Sequence, residues 1–469
     1  MTRRQKLTLI LLLGTQSMLA ADFSVFNVAL PSIGANVGIS LSSVEWIATA
    51  FALPTAGFTL FFGRVADLVG RRRLFSTALL LLIVASLAGG LAHTAWLLLA
   101  ARVIQGLATA ATIPSAFALL VAAFPEGPLR ERALGLNGSL LTAGFTTGAL
   151  LGGVLTSALS WRWAFLFNVP VALLILLAAP KVLAESRGEE GARLDTPGAV
   201  TVTGSLLALV FGIVTEGDHN WTSSVGWICI AVGLALGAVF FALERRSSQP
   251  LVPLGVLARP TVALGNLGGF TVFAMETSIV FVLTLYLQRI LHYSALDAGF
   301  MLGGPGAAAF ISGMVAPRTL LRFGPRTVLA VGLMLQGLAN IALLSVGASS
   351  SIVPWLLAIT IVSFFVHVHA LVGFTVTATS GLPDSEQGLA TSLLTMTQQV
   401  AIASGIPVIG TIATAGAASA LLAHIRLAFA VDAGITVAVA AVIGVGLLTV
   451  AAPAGGLDSQ PLAGSEQAG

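Results

Sequence analysis

The stretch "GRVADLVGRRR", Gly63 to Arg73, packs Arg64, Asp67, Arg71, Arg72 and Arg73 between two long apolar runs. Across the 469 residues only 9% are charged and 57% are hydrophobic, whereas a soluble domain has about 25% charged residues. Mean hydropathy is +0.98. So few charges cannot cover a water-soluble fold of this length, which leaves a polytopic membrane protein. In such a chain a cluster of arginines marks a loop at the membrane surface.

Working outward from that loop, the breaks at Gly, Pro and polar clusters divide the chain into spans of about 20 apolar residues. Six are expected over 8–33, 43–63, 74–93, 96–123, 134–158 and 162–181. Two more follow over 197–216 and 225–243. A last six run over 262–286, 295–316, 327–347, 352–377, 388–417 and 427–451. Arg3, Arg4, Lys6 and the later "SMLAAD" have the look of a cleaved signal, but the apolar run continues to Ile33, so it reads as the first span. With the N-terminus in the cytoplasm, all 22 Lys and Arg except Arg102, Arg162, Arg289 and Arg426 fall in cytoplasmic segments. The positive-inside rule asks for that split, and it favours an even number of helices with both termini cytoplasmic.

Topology alone accounts for the arginines of the opening loop, not for Asp67 or for the glycines at 63 and 70. A second loop, "PRTLLRFGPR" (Pro317 to Arg326), aligns Arg64 with Arg318, Gly70 with Gly324 and Arg72 with Arg326. Asp67 falls on Leu321. The chain therefore reads as two related halves, the second lacking the acid. Internal repeats around a midplane site are a common plan for secondary transporters.

Several functions are disfavoured. A single cysteine, Cys229, gives no internal disulfide and no thiolate metal site. The net charge of +3 and the lack of a basic tract with interleaved aromatics speak against nucleic acid. No GxxxxGK[ST] loop, HExxH helix or extended soluble loop suggests an enzyme, and no cofactor is expected. Arg in place of Lys, with abundant Ala and Gly, suggests a GC-rich bacterial genome and hence a bacterial cytoplasmic membrane.

With these residues in view, the chain resembles the major facilitator superfamily, in particular its fourteen-helix drug:proton antiporter branch. "GRVADLVGRRR" resembles the family's loop 2–3 signature and "ADFSVFNVALPSI" (Ala21 to Ile33) the branch's first-helix motif. "ARVIQGLATAA" (Ala101 to Ala111) resembles the fourth-helix motif with its buried arginine. "GFTTGALLGGVL" (Gly144 to Leu155), followed by "WRWAFLFNVP" (Trp161 to Pro170), resembles the helix 5 antiporter motif and its sequel. "LYLQ" (Leu285 to Gln288) opens the outer end of helix 9 in the same way. The helix 5 motif departs from the pattern in having Ala149 where Pro is usual.

The resemblance implies an all-α membrane protein with fourteen transmembrane helices. A six-helix bundle (1–181), a linker with two inserted helices (182–258), a second six-helix bundle (259–451) and a disordered cytoplasmic tail (452–469) are expected. It implies a monomer that exports hydrophobic drugs or a natural-product antibiotic, a hydrophobic or cationic small molecule, in exchange for protons by alternating access. A metabolite transporter or uniporter on the same fold is the alternative. Gly63, Arg64, Asp67, Gly70, Arg71 and Arg72 are then a conformational latch between the cytoplasmic ends of the halves. Gly144, Gly148, Gly152 and Gly153 form the helix 5 motif, and the four-residue spacing of the first three suits close helix packing as well as coupling.

Charged side chains in a bilayer cost about 2.5–3.5 kcal/mol each on insertion scales. Asp22 and Glu276 lie mid-helix in the first helix of each half, Asp432 lies in the first turns of the last helix, and Arg102 lies in helix 4. Asp22 and Arg102 are expected to pair, and Asp22, Glu276 and Arg102 are assigned to proton coupling. Burial disfavours an ionised carboxyl and a nearby Arg favours it, so a carboxyl between these influences can release its proton when its surroundings change. Arg102, Gln105, Thr109 and Thr112 share one helix face, as do Thr391, Thr395 and Gln398. Asn27, Gln105, Thr109, Thr391, Thr395 and Gln398 are placed in the substrate cavity. Glu45, Glu216, Glu244 and Asp297, near helix ends, are expected to reach water or lipid headgroups. His367 and His369, two residues apart, point to opposite sides and make a poor joint metal site.

Overall fold

The computed structural model describes residues 1–39, 43–44, 46–124, 128–187, 195–218, 222–247, 254–379, 393–394, 396–398, 400–402, 404–415 and 418–449. The expected tail at 452–469, Glu45, Thr391 and Thr395 lie outside them. The first bundle comprises α1 (Arg3–Val37), α2 (Trp46–Val69), α3 (Arg71–Gly90), α4 (Ala95–Ala123), α5 (Pro128–Ala158) and α6 (Trp163–Val182). The inserted pair is α7 (Thr196–Asp218) and α8 (Ser224–Glu244). The second bundle comprises α9 (Pro260–Ile290), α10 (Ala295–Phe323), α11 (Pro325–Ser345), α12 (Val353–Thr379), α13 (Met396–Thr414) and α14 (Leu421–Thr449). No strand occurs among the described residues.

Twelve of these helices are long and apolar enough to cross a membrane, thirteen with the bent α2 counted as one span. The expected count of fourteen is not confirmed among the described residues. The 56° bend in α2 falls between Thr59 and Phe61. Pro54 lies in this helix, and Thr55 and Thr59 both turn their hydroxyls back onto carbonyls four residues earlier. Both features loosen a helix locally.

Local chemistry sets several helix starts. Thr2 and Gln5 form a reciprocal capping box at α1, and Ser294 and Asp297 form another at α10. The exposed Asp297 is thus a cap, in keeping with its expected place at the surface. Gly70 and Gly324, aligned by the repeat, both have positive φ (+115° and +80°) and both precede the next helix. The two halves make the same left-handed corner, which only glycine adopts without strain.

Two expectations fail. Glu216 and Glu244 are buried rather than solvated. Glu216 closes the α7–α8 hairpin: its Oε2 accepts from Ser223 N at 3.2 Å and its side chain packs on Gly226. Asp432 is not in the first turns of the last helix, since α14 begins at Leu421 and Asp432 lies deep within it, fully buried.

Apolar clusters show how the halves meet. At the end bearing the N-terminus each bundle has its own core: Leu12, Phe75, Leu120 and Phe124 in the first, Val272, Leu329, Phe374 and Ile443 in the second. At the opposite end one cluster joins both, with Phe26, Ile33, Ile47 and Phe165 beside Ile279, Tyr286, Ile406 and Phe429. Polar contacts across the seam lie there too. Gln288 Nε2 donates to Val28 O (2.8 Å), Arg289 Nη2 to Pro31 O (3.2 Å), and Leu296 N to Ser157 Oγ (3.0 Å).

Candidate functional site: a buried ion pair and its surroundings

The N-terminal bundle is apolar enough to make any charge in its middle costly, and the structure gathers polar groups where the charges are. Arg102 Nη1 lies 3.5 Å from Asp22 Oδ2, with both side chains 1% exposed. The guanidinium also donates from Nε to Ile47 O (3.0 Å) and from Nη1 to Gln105 Oε1 (3.0 Å). Phe26 and Phe51 lie against it, their ring centres 3.8 and 4.3 Å from Cζ. Gln105 Nε2 passes the network on to Ser86 Oγ at 2.9 Å. The other Asp22 oxygen accepts from Asn168 Nδ2. One acid and one base thus tie together α1, α2, α3, α4 and α6. Removing either partner from such a buried pair leaves an uncompensated charge.

The stripe Arg102, Gln105, Thr109 and Thr112 is wholly buried. It faces the interior of the first bundle, so Gln105 serves the ion pair. Asn27 is buried one turn beyond Asp22, and its Nδ2, like Thr109 Oγ1, has no partner among the described residues. Gln398 is half-buried on α13.

Asn168 was not singled out from sequence. The signal available was an asparagine inside the apolar run of α6, in the quoted "WRWAFLFNVP".

In the second bundle Glu276 is buried in α9 and has a partner that the sequence did not suggest. Its Oε2 accepts from Gln336 Nε2 (3.1 Å) and lies 3.4 Å from His367 Nδ1. His369, two residues on, turns elsewhere: its Nδ1 is 2.7 Å from Ser312 Oγ, and its ring lies against Phe365. Among the described residues no group of three His, Cys, Asp or Glu side chains is placed to hold a metal.

The helix 5 glycines line the seam between α5 and α1. A Cβ on Gly148 would meet Ala21 O at 2.5 Å and Ala21 Cα at 2.7 Å, and one on Gly152 would meet Val25 O at 2.8 Å. Gly144 abuts the Ser17 carbonyl in the same way. The backbone of α5 therefore presses on α1 around Asp22. Gly153 faces the other half instead, 2.8 Å from Ala295 O for an added Cβ, and Gly299 answers from α10 against Ala149 O.

The arginine-rich loop is clasped within its own half. Arg71 Nη2 pairs with Asp67 Oδ1 at 2.8 Å. Glu185, just past α6, accepts from Arg72 N (3.0 Å) and lies near Arg72 Nε (3.7 Å) and Arg73 Nε (3.9 Å). Arg71 N donates to Ser186 O (2.9 Å) and Arg72 Nη1 to Leu183 O (3.1 Å). A Cβ on Gly70 would meet Glu185 Oε1 at 2.9 Å, and Gly63 has only Pro114 nearby. These contacts of the loop lie within its own half, and Asp67 is engaged by its neighbour one turn away. Leu321, at the equivalent position of the second half, is 90% exposed.

The family model described as Major Facilitator Superfamily matches residues 12–406 and 266–463. The puromycin resistance protein pur8 of Streptomyces alboniger is 35% identical over 463 residues, 94% of this chain and 89% of its own. The cephamycin export protein CmcT of Amycolatopsis lactamdurans is 35% identical over 421 residues, 87% of this chain and 85% of its own. A crystal structure of a peptide transporter, POT, in complex with sulfate superposes with a TM-score of 0.69 at 15% identity, over 93% of this chain and 94% of that one. That last likeness speaks for the fold alone.

Proposed function

The chain belongs to the major facilitator superfamily, and from that premise we propose that it exports hydrophobic drugs or a natural-product antibiotic from the bacterial cytoplasm in exchange for protons. It is a multi-pass membrane transporter of small molecules and not an enzyme. Relatives named for puromycin resistance and cephamycin export support efflux as the direction and antibiotics as the cargo.

The observation that carries the coupling is the Asp22–Arg102 pair. A carboxylate and a guanidinium held 3.5 Å apart in an apolar bundle form a balance that one proton upsets: protonating Asp22 frees Arg102 from its counter-charge and changes how five helices are held. Asp22 is the proton carrier, Arg102 its counter-charge, and Asn168 the positioning residue. Glu276, near the seam in the other half, meets the positive group of a cationic substrate.

The basic residues put the N-terminal end of the bundle in the cytoplasm. The direct polar contacts between the halves lie at the opposite end, and at the N-terminal end Phe61 meets the second half through a cluster with the inserted pair; this supports reading the state as closed to the outside. The arginine loop engages the second half only in the opposite state. The protein works as a monomer, with one cavity between its halves.

Efflux of ethidium (cationic) and chloramphenicol (neutral) from a pump-deficient bacterium, with and without an uncoupler, tests the reading. Uncoupler-sensitive efflux that disappears for both compounds in Asp22→Asn is expected. Glu276→Gln should impair ethidium and spare chloramphenicol. Full activity in Asp22→Asn, or equal loss of both compounds in Glu276→Gln, overturns the respective assignment.

A further inference from the structure

The second bundle contains a polar ladder that reaches past Glu276. α11 presents Gln336 and Asn340 one turn apart, and each donates to a carboxylate on a different helix. Gln336 serves Glu276 of α9, and Asn340 Nδ2 donates to Asp432 Oδ1 of α14 at 3.0 Å. α12 presents Ser363 and His367, also one turn apart. Ser363 Oγ donates to Asn340 Oδ1 at 2.8 Å, and His367 Nδ1 lies 3.4 Å from Gln336 Nε2. The result is two stacked layers, Glu276–Gln336–His367 and Asp432–Asn340–Ser363. Gln336 and Asn340, one turn apart on α11, thus hold the two carboxyls in neighbouring layers.

The first bundle builds its ion pair from the same positions in the chain order: its first, third, fourth and sixth helices supply Asp22, Ser86, Arg102 and Asn168. Ser86 and Asn340 even stand at equal distances from the starts of their helices, Arg71 and Pro325. The halves differ in charge. Where the first has Arg102, the second has Ser363 and His367. Where the first has the amide of Asn168, the second has the carboxyl of Asp432. One half balances an acid with a fixed cation, and the other sets two acids together.

Among the described residues no fixed cation stands by them. The Arg residues on the four helices of the ladder are Arg289, Arg326 and Arg426. Arg289 is bonded to Pro31 O across the seam, and Arg426 to Val346 O. Arg326 is the second residue of α11, nearly three turns from Gln336. The other titratable groups on the elements packed against Asp432 and Glu276 are His424 on α14, His367 and His369 on α12, and Tyr286 on α9, whose hydroxyl donates to Gly347 O. The described part of α13 has none. Buried polar atoms without a partner include Glu276 Oε1, Gln336 Oε1 and Asp432 Oδ2. All three are acceptors, so the ladder is short of hydrogen rather than of oxygen.

We propose that Asp432 is a second protonation site, which binds one proton beyond that of Asp22, is tuned by Glu276 in the neighbouring layer, and releases that proton once per transport cycle. Release breaks one carboxyl O–H bond and returns the proton to cytoplasmic water, with no other reactant. Its part in transport rests on the proton-exchange reading above; its protonation does not.

Infrared difference spectra of the purified full chain in lipid nanodiscs, with aspartate labelled with carbon-13 at the side-chain carboxyl, test the site without altering it. Asp22 and Asp432 are the buried aspartates among the described residues, and solvated aspartates, with an ordinary pKa of about 3.9, are already ionised above about pH 6. In an Asp22→Asn background, a labelled carboxylic-acid band that persists above about pH 6 and is lost on further alkalinisation is expected, and Glu276→Gln should move the pH at which it is lost. Asp432→Asn should remove it. A labelled band that is absent above about pH 6, or that no rise in pH removes, overturns the proposal and leaves Asp432 a structural hydrogen-bonding residue.

A second arm reads transport. Losing one coupled proton lowers the limiting ethidium gradient about tenfold for each unit of transmembrane pH difference, so Asp432→Asn should show that drop. An unchanged gradient overturns the role in coupling. Should wild-type efflux ignore the uncoupler, the antiport reading fails, while the infrared result still decides whether the ladder binds a proton. Should Asp432→Asn fail to fold, the labelled native aspartate decides alone.

Discussion

Arg102 is held by shape as much as by charge. Its planar fork serves Asp22, Gln105 and the Ile47 carbonyl while Phe26 and Phe51 flank the guanidinium. Lysine would keep the charge and lose this geometry, so Arg102→Lys should insert into the membrane yet lose most efflux activity. Arg102→Ala should lower stability by about 3–5 kcal/mol, the usual cost of breaking a buried pair, and adding Asp22→Asn should restore part of it. Thermal unfolding of the single and double variants in detergent checks this, and a double variant no more stable than Arg102→Ala would refute the coupling. Asp22 and Arg102 were legible in the sequence because a charge in an apolar run is conspicuous. Asn168, Gln336, Asn340 and Ser363 were not, because a lone neutral side chain in a long apolar helix has no periodicity or charge to distinguish it. Glu216 misled in the other direction: proximity to a helix end suggested water, but Ser223 and Gly226 at the start of α8 cover it.

At the scale of elements, α5 and α1 touch backbone to backbone where helix 5 presents its glycines. A Cβ at Gly148 would strike the main chain of Ala21, which cannot turn aside as a side chain would. Gly148→Ala should therefore reduce efflux several-fold and lower the unfolding temperature, whereas Gly14→Ala, with nothing within 4 Å, should do neither. Equal effects would show that helix propensity, not contact, dominates. The arginine loop is the other decisive element. Asp67→Asn should strongly reduce transport while ethidium binding to the purified protein stays measurable, and the exposed Leu321→Ala should do much less. Equal damage from both refutes an asymmetric loop. The repeat that aligned Gly70 with Gly324 was readable because both corners need the same positive φ. The role of Glu185 was hidden, since its partners lie more than a hundred residues away in the chain.

For the whole molecule, the order of spans and the division into halves followed from hydropathy and basic residues, because both are set by the bilayer. The conformational state did not, because one sequence must satisfy both states and the helix pattern is common to them. The shared cluster around Phe26, Tyr286 and Phe429 and the contact of Leu296 N with Ser157 Oγ define the state seen. In a Cys229→Ala background, Ser157→Cys with Leu296→Cys should cross-link on oxidation, stop efflux, and recover with a reductant. Continued efflux by the cross-linked protein would show that this end need not open.

The inserted hairpin makes the two sides of the seam unequal. α7 lies along α2, where Thr203 bonds Gly57 O and Val210 packs on Leu53, and it also touches α13 of the other half. One flank of the seam is thus covered by the hairpin. On the other flank, α5 and α10 meet closely at Gly153 and Gly299, whereas Gly313, nearer the N-terminal end, has only Val368 of its own half within 4 Å. The seam between the halves is thus covered by the hairpin on one flank and closed by direct backbone contact of α5 with α10 on the other.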